Sequence, residues 1–327
     1  MLRTALALSA LTGQEAGVHG IRAGRPNPGL QAQHLCAVQG VAKVCGATVV
    51  GAKIGCTDLT FSPGRSRGGR FRLGVGTAGS VTLVLQACLL ACGRCEEPSL
   101  FEVTGGTNVR WSPPIDFYQD ALFPLLGRMG AQASVEEMAR GFYPEGGGRA
   151  VVRWRAPGSY LPLGLAVRGE LRRVGGRVFT QNLPEHVGQR LGGALRKAFL
   201  GQSLRLTTER SSGPSTGAGA FVLAEFENSL LSGDALGERG VPAEKVGEAA
   251  ATALRTEMLS AATLDVHAAD QLLPYMAMAI GPSGFVVREA TGHLAAQAEL
   301  VRLFLGAGVS FEPCEGGTRV EVLPGRF

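Results

Sequence analysis

Two stretches near the end of the chain carry residue types that phosphate chemistry needs. The run His267–Gln271 opens one predicted apolar helix, and His293 follows a predicted strand and opens the next. A helix N-terminus offers free N–H groups and a partial positive charge, so it suits a phosphate group. A histidine placed there can act as a nucleophile toward phosphorus. Taken alone, the stretch is also explained by a buried polar cap and an incidental histidine, so the choice depends on the rest of the chain.

Other segments offer groups for phosphate oxygens. Arg22 and Arg25 lie on a glycine-bearing loop after a predicted strand, and Gln33-His34 opens the following helix. Arginine forks onto phosphate better than lysine does. A solvated loop with a capped helix is the other interpretation of this segment. Four more arginines could follow a nucleic-acid backbone or equally form a solvated basic loop, namely Arg65, Arg67, Arg70 and Arg72.

The composition is that of a globular protein with a mild basic bias. The 327 residues are enough for two domains with a core, and 45% of them are hydrophobic. The net charge of +5 suits an anionic partner but is too weak to indicate nucleic acid by itself. Only four residues are lysine, so arginine carries nearly all of the positive charge. No Gly-x-x-x-x-Gly-Lys-Ser/Thr motif occurs, so any nucleotide site is of another kind.

Several classes of protein are disfavoured. No apolar run reaches the roughly 18 residues that a membrane span needs. The first twelve residues predict a helix rather than a signal peptide, because no small-x-small cleavage site follows them. Cys88, Cys92 and Cys95 have no fourth ligand at a spacing typical of metal sites, and the pattern of the segment predicts an apolar helix. We therefore expect free thiols in a cytoplasmic protein that has no membrane partner and no obligate protein partner.

Apolar periodicity predicts one α/β unit three times along the chain. The first copy has helices over 2–12 and 35–45 and strands over 18–23, 47–52 and 58–61. The second has strands over 71–75, 100–103, 132–139 and 150–154, and helices over 79–92 and 118–129, the latter kinked at Pro124. The third has strands over 261–265, 284–289, 309–312 and 318–323, and helices over 267–279 and 294–305. The second and third copies open with a strand before the first helix. We therefore expect that the first copy lacks a leading strand before residue 1.

An additional α/β segment separates the second and third copies. It has predicted strands over 165–171, 177–180, 204–207 and 221–226, with helices over 187–199 and 243–259. The predicted fold class is therefore α/β (α+β). Three βαβαββ-type repeats form a large domain from 1–164 and 256–327, and a small α/β domain over 165–255 is inserted between repeats two and three.

In order along the chain, these motifs resemble the RNA 3′-terminal phosphate cyclase family. The resemblance is carried by Ile21-Arg22-Ala23-Gly24-Arg25, Pro28-Gly29-Leu30, Gln33-His34-Leu35, Thr77-Ala78-Gly79-Ser80 with Gln86, Gly105-Gly106-Thr107-Asn108, Arg140–Gly148, Gly237–Val241, Ala243–Gly247 and Ala269-Asp270-Gln271-Leu272. It implies the three repeats and a thioredoxin-like insert. It also implies a strand and a Glu-Gly-Gly-Gly-Gln loop before Leu2-Arg3, whose Glu helps to hold the metal and the nucleotide.

The resemblance implies an ATP-dependent enzyme that converts an RNA 3′-phosphate end into a 2′,3′-cyclic phosphate. A ring nitrogen of His293 would take AMP from ATP, with Mg²⁺ or Mn²⁺ as the metal, and pass it to the RNA. Asp270 would act near the metal or orient His293. The nucleotide would contact Gln86, His267, Ala268, Ala269, Asp270 and Gln271, with Pro113 against adenine. Phosphates of ATP or RNA would contact Arg3, Arg22, Arg25, Gln33 and His34.

Two departures from the family and two alternative functions accompany this interpretation. The family often has Tyr where this chain has His267, and a polar Asn close after the nucleophile where Ala295-Ala296-Gln297 stands here. One alternative is a non-catalytic relative that binds RNA or assembles ribonucleoprotein. Such relatives lack the nucleophilic histidine, so His293 favours the enzyme. An enolpyruvyl-transferase with related repeats would need a lysine-rich cleft, which four lysines do not supply.

Overall fold

The fold was analysed in a computed structural model that describes residues 1–326. The helices are α1 (Leu2–Thr12), α2 (Ala32–Cys45), α3 (Val81–Ala91), α4 (Ile115–Phe117), α5 (Phe123–Arg128), α6 (Glu185–Ala198), α7 (Ala243–Leu259), α8 (Val266–Met276) and α9 (Gly292–Leu305). The strands are β1 (Ala16–Val18), β2 (Thr48–Val50), β3 (Leu59–Ser62), β4 (Gly69–Gly74), β5 (Ser99–Gly105), β6 (Gln132–Ala139), β7 (Gly148–Arg155), β8 (Leu171–Gln181), β9 (Leu204–Ser211), β10 (Gly217–Phe226), β11 (Leu230–Leu236), β12 (Ser283–Val287), β13 (Gly308–Cys314) and β14 (Gly317–Leu323).

The strands form four sheets, so the protein is a mixed α/β protein as predicted. Two sheets have three antiparallel strands, in the orders β1-β3-β2 and β12-β14-β13. A third has the order β4-β5-β7-β6, in which only β4 and β5 are parallel. The fourth has the order β11-β10-β8-β9, in which only β8 and β9 are parallel. None of the helices in residues 1–326 combines the length and apolar character that crossing a membrane requires.

The buried apolar side chains form two clusters. The larger cluster joins α1, α2, α3, α8 and α9 to the three sheets outside β8–β11. In the smaller one, Leu191 and Leu195 of α6 and Leu254 of α7 pack with Val178 and Val222 of the β8–β11 sheet. This second core lies almost wholly within the segment that the sequence predicts as an insert. The threefold repeat and the domain boundaries stay predictions.

Three helices of the candidate site, α3, α8 and α9, begin at polar caps. The hydroxyl of Ser80 accepts a hydrogen bond from the backbone of Leu83 and so caps α3, and Thr291 does the same for Leu294 in α9. The Asp265 carboxylate accepts from the first turn of α8. Such caps satisfy N–H groups that have no partner inside the helix, so each helix begins at a defined residue.

Several predicted element bounds were wrong. The strand predicted over 18–23 ends at Val18, because the chain turns and Arg22 adopts a positive φ of 56°. Residues 261–265 form only one isolated bridge, between Leu264 and Leu230. The strand predicted over 165–171 begins only at Leu171, and β11 was not predicted. A π-helical turn over Tyr118–Leu122 interrupts the helix predicted over 118–129 directly before Pro124, where a kink was predicted.

Candidate active site

The N-termini of α8 and α9 lie side by side and present two histidines and an aspartate. His293 is the second residue of α9 and is exposed, as is His267 at the start of α8. The Thr291 hydroxyl donates to a carboxylate oxygen of Asp270 at 3.3 Å, which ties the start of α9 to α8. The fold therefore brings together the candidate nucleophile and its predicted partner, which are 23 positions apart in the numbering.

The Asp270 carboxyl is perturbed by its surroundings. Burial raises its pKa to about 6, while nearby His293 and His267 and the Thr291 hydroxyl oppose that rise. A carboxyl group in this state changes charge close to neutral pH, which suits proton or cation handling at a reaction centre.

A second group of predicted residues lies where α1 meets α3. Arg3 donates from Nε to the side-chain oxygen of Gln86 at 3.3 Å. Burial lowers the pKa of the Arg3 guanidinium. Gln297 of α9 donates to the Thr4 hydroxyl at 3.0 Å, which joins α1 to the helix that carries His293.

A third group joins α2 to the same region. Burial, and then the positive charges of Arg3 and Arg22, lower the pKa of His34 to about 4, so His34 is neutral at neutral pH. The side-chain oxygen of Gln33 accepts from the backbone N–H of Ser80 at 2.9 Å and thus links α2 to the start of α3.

The loop that carries Arg22 and Arg25 is fixed by close backbone packing. Arg22 donates from Nη1 to the carbonyl of Gly29 at 3.3 Å. Gly29 has a φ of 77°, and a Cβ there would lie 2.2 Å from the Gly55 carbonyl oxygen, so only glycine fits. Arg25 is exposed, and its side chain makes no hydrogen bond or ion pair with residues 1–326.

The remaining predicted nucleotide contacts differ in accessibility. The Pro113 carbonyl accepts from the Thr82 hydroxyl at 2.8 Å, which holds the Pro113 loop against the first turn of α3. Gln271 is buried, and its side-chain oxygen has no partner within residues 1–326. Ala268 and Ala269 are fully buried, so their methyl groups pack in the core, and only their backbone could contact a ligand.

A complete protein-only metal site is absent from the part of the chain that the structure describes. No three His, Cys, Asp or Glu side chains there lie close enough to hold an ion. Mg²⁺ is commonly held by one or two carboxylates together with substrate phosphates. Asp270 fits such a role as a single ligand, and no larger ligand set accompanies it.

A buried ion network beside the site was not predicted. Arg140 donates to both carboxylate oxygens of Asp116 at 2.7 and 2.9 Å and to those of Glu209 at 2.9 and 2.7 Å. Arg177 adds a bond to Asp116 at 2.7 Å. Burial alone would raise the pKa of Asp116, but Arg140 and Arg177 outweigh it and lower that pKa. Since Arg177 and Glu209 lie on β8 and β9, the network joins the site loops to the second core.

Sequence reasoning also gave no role to the side chains that fix the helix starts. Asp265 is buried and accepts from Ser232 as well as from α8, and Gln297 reaches Thr4 from the far end of the chain. The one sequence signal for Asp265, Thr291 and Ser80 was their place as short polar residues directly before an apolar helix.

Taken together, the N-terminal ends of α1, α2, α3, α8 and α9 supply nearly all the polar groups of this site. Helix N-termini attract anions; Arg3 lies in the first turn of α1, and Arg22 and Arg25 lie on the loop before α2. The fold and site therefore define a class of mixed α/β protein in which several helix N-termini and an exposed histidine form an arrangement suited to phosphorylated ligands.

Comparison with known proteins gives the family. The family model described as RNA 3′-terminal phosphate cyclase matches residues 1–311. A relative of that name from Nitrosospira multiformis is 42% identical over 93% of this chain and 88% of its own length. Relatives of the same name from Archaeoglobus fulgidus and Methanopyrus kandleri are each 40% identical, over 95% and 99% of this chain and 94% and 95% of their own lengths. The chain belongs to the RNA 3′-terminal phosphate cyclase family, an enzyme family, and the resemblance of its motifs is confirmed.

Proposed function

We propose that the protein uses ATP to convert the 3′-phosphate end of an RNA into a 2′,3′-cyclic phosphate. The observation that carries this proposal is the exposed His293 at the start of α9, tied through Thr291 to the half-buried carboxyl of Asp270. The neighbouring helix starts supply N–H groups and arginines for the phosphates of both substrates.

The reaction consists of three phosphoryl or nucleotidyl transfers. A ring nitrogen of His293 attacks the α-phosphorus of ATP, an N–P bond forms, and the bond from that phosphorus to the oxygen it shares with the β-phosphate breaks to release pyrophosphate. An oxygen of the RNA 3′-phosphate then attacks the same phosphorus and breaks the N–P bond, which returns the histidine. The RNA 2′-hydroxyl finally attacks the activated 3′-phosphorus, loses its proton, and expels AMP as the ring closes.

The side chains mainly align the reacting groups and balance charge. Above a pH of about 6 the Asp270 carboxyl is ionised. Its negative charge then stabilises the positive charge that develops on His293 when the N–P bond forms. Gln86, His267 and the amide of Gln271 would hold the nucleotide, with Pro113 against adenine. Arg3, Arg22 and Arg25 would hold phosphate oxygens, with Gln33 and neutral His34 as hydrogen-bond partners.

A divalent ion such as Mg²⁺ or Mn²⁺ would neutralise phosphate charge when bound. Asp270 is the side chain that we assign to it. Because no further carboxylate or histidine completes a site within residues 1–326, ATP oxygens and water would supply the other ligands.

The three-repeat architecture and the insert belong to the same proposal. Three of the sheets pack with the site helices, which supports three related units over 1–164 and 256–327. The order β8-α6-β9-β10-β11-α7, with its own apolar cluster, supports a thioredoxin-like domain over 165–255. The seven free cysteines support a cytoplasmic location, because reducing compartments keep thiols unpaired.

Transfer of label from α-labelled ATP tests the chemistry. Wild-type protein with Mg²⁺ or Mn²⁺ should form an acid-labile protein–AMP adduct, and His293→Ala should form none. His186→Ala is the matched control, since His186 is also an exposed helical histidine but lies on α6 in the second core. An adduct that persists in His293→Ala contradicts the mechanism. A wild type that binds RNA but neither forms the adduct nor cyclises it would instead indicate a non-catalytic relative.

A further inference from the structure

Among the Trp, Tyr and Phe side chains of residues 1–326, two are exposed, and both lie on loops that pack against the start of α3. The Trp111 side chain is 94% exposed and that of Tyr143 is 78% exposed. All other Trp, Tyr and Phe side chains of residues 1–326 are buried or half-buried, including Trp154 at 1%. Large exposed apolar groups that gather at one place mark a binding surface more often than scattered ones do.

The two loops are joined to each other. The backbone N–H groups of Thr107 and Asn108 both donate to the Gly141 carbonyl, at 3.0 and 3.1 Å. The Gly141 N–H in turn donates to the Thr107 hydroxyl at 2.9 Å. Trp111 lies four residues after this junction on one side, and Tyr143 lies two residues after it on the other.

The backbone of the loop that carries Trp111 is held by several contacts, whereas its indole side chain is exposed. The Ser112 hydroxyl donates to the Val109 carbonyl at 3.0 Å, and Arg110 forms an ion pair with Glu238. Within residues 1–326 the indole N–H has no hydrogen-bond partner, and the ring has no aromatic or cationic partner. Trp111 also has a φ of 67°, which is rare and strained for a bulky residue. Such strain at an exposed aromatic points to a use for its position.

Both loops touch the start of α3, where the site lies. Pro113, two residues after Trp111, binds the Thr82 hydroxyl through its carbonyl. On the other loop, a Cβ on Gly146 would lie 2.8 Å from the Cα of Ala78, so the backbone there packs directly on the Thr77–Ser80 junction. Trp111 and Tyr143 therefore lie on loops whose backbone is fixed against the start of α3.

We infer that Trp111 and Tyr143 form a stacking surface for nucleobases at the rim of the site. Every base has a flat π-face, so an exposed indole and phenol can hold bases without selecting a sequence. The inference rests on the proposed function insofar as the expected base belongs to the RNA substrate. The adenine of ATP offers the same chemistry, so the test has an arm for each source.

Intrinsic fluorescence gives a direct readout, because the protein has only two tryptophans and Trp154 is buried. A five-nucleotide RNA with a 3′-phosphate should quench the wild-type emission, and Trp111→Phe should lose that response. Quenching by ATP alone would assign the surface to adenine. If neither ligand changes the emission of a protein that binds RNA by fluorescence anisotropy, the inference is wrong.

Affinity measurements provide the second arm. Trp111→Ala and Tyr143→Ala should each weaken RNA binding about tenfold, while Trp111→Phe keeps most of it, because a phenyl ring still stacks. Leu259→Ala is the matched control, since Leu259 is equally exposed but lies at the end of α7. Equal losses in Trp111→Phe and Trp111→Ala would contradict stacking. Anisotropy needs no turnover, so failure of the cyclase proposal remains distinguishable from failure of this one.

Discussion

Replacing Asp270 by asparagine is expected to stabilise the protein at neutral pH while slowing His293 adenylylation. Burial raises the pKa of this carboxyl from 3.8 to about 6, so ionising it in the folded protein is unfavourable. At 1.36 kcal/mol for each tenfold change in proton affinity, this difference amounts to roughly 3 kcal/mol at full ionisation. The asparagine avoids that cost and keeps an oxygen that can accept the hydrogen bond from Thr291.

The pH dependence of the difference follows from linkage. The folded protein keeps the Asp270 proton up to a pH of about 6, whereas the unfolded chain releases it near its ordinary pKa of 3.8. The stabilisation by the protonated carboxyl is thus complete below that lower value and is lost as pH rises through the folded pKa of about 6. The advantage of Asp270→Asn should therefore grow from nothing in acid to its full size above about pH 6.

Urea unfolding at pH 4, 5, 6 and 8 measures this difference. Asp58→Asn is the control of opposite sign, because hydrogen bonds from Thr57 and His19 lower the pKa of the exposed Asp58 carboxyl. That variant should lose stability above acid pH rather than gain it. Adduct formation from labelled ATP should fall in Asp270→Asn on the order of a hundredfold. A variant that is no more stable than wild type at pH 8, or whose advantage is greatest in acid, would refute the reasoning.

Two further predictions concern buried charges. Arg140→Ala should lower the free energy of unfolding by about 3–5 kcal/mol, because it leaves Asp116 buried with a partner removed. Arg153→Ala breaks an exposed pair with Glu136 and should cost far less stability, so equal losses in urea unfolding would contradict this account. His34→Gln should resist acid better than wild type. Burial, then Arg3, lower the pKa of His34 from 6.5 to about 4, so stability is present above 6.5 and lost as pH falls toward 4. Thermal melts between pH 6.5 and 4 compare the stability of His34→Gln with that of wild type, and His186→Gln is the control. If His34→Gln lost as much stability in acid as wild type does, the prediction would be wrong.

Local pattern predicted the parts of the site that depend on helix starts. The helices predicted over 79–92 and 294–305 begin within two residues of the observed starts of α3 and α9, because apolar periodicity is a local signal. The segment after Val18 was predicted wrongly for the opposite reason. Its turn depends on bonds to distant residues, such as the one from the Ile21 N–H to the Thr57 carbonyl, which periodicity does not reveal.

Long-range polar pairing also lay beyond sequence reasoning. Arg140 was noticed only as the first residue of the motif Arg140–Gly148. In the fold it forms ion pairs with Asp116 and Glu209, which lie on two other segments of the chain. β11 was missed because Ser232 and Gly233 interrupt its apolar pattern. Gly233 is needed there because a Cβ would lie 2.4 Å from the backbone nitrogen of Leu254 in α7.

The Arg140 network limits how freely the proposed insert could be exchanged between relatives. Its two outward-reaching members, Arg177 and Glu209, meet Asp116 and Arg140 across the boundary, with the guanidinium of Arg140 4.0 Å from the centre of the Phe179 ring. A chimera that receives only residues 165–255 from a relative could leave the buried Arg140 and Asp116 without the partners that Glu209 and Arg177 provide here. A compatible exchange would also have to carry Asp116 and Arg140, the partners of Arg177 and Glu209 outside the insert. Substitutions on one side of this contact are therefore expected to require matching substitutions on the other.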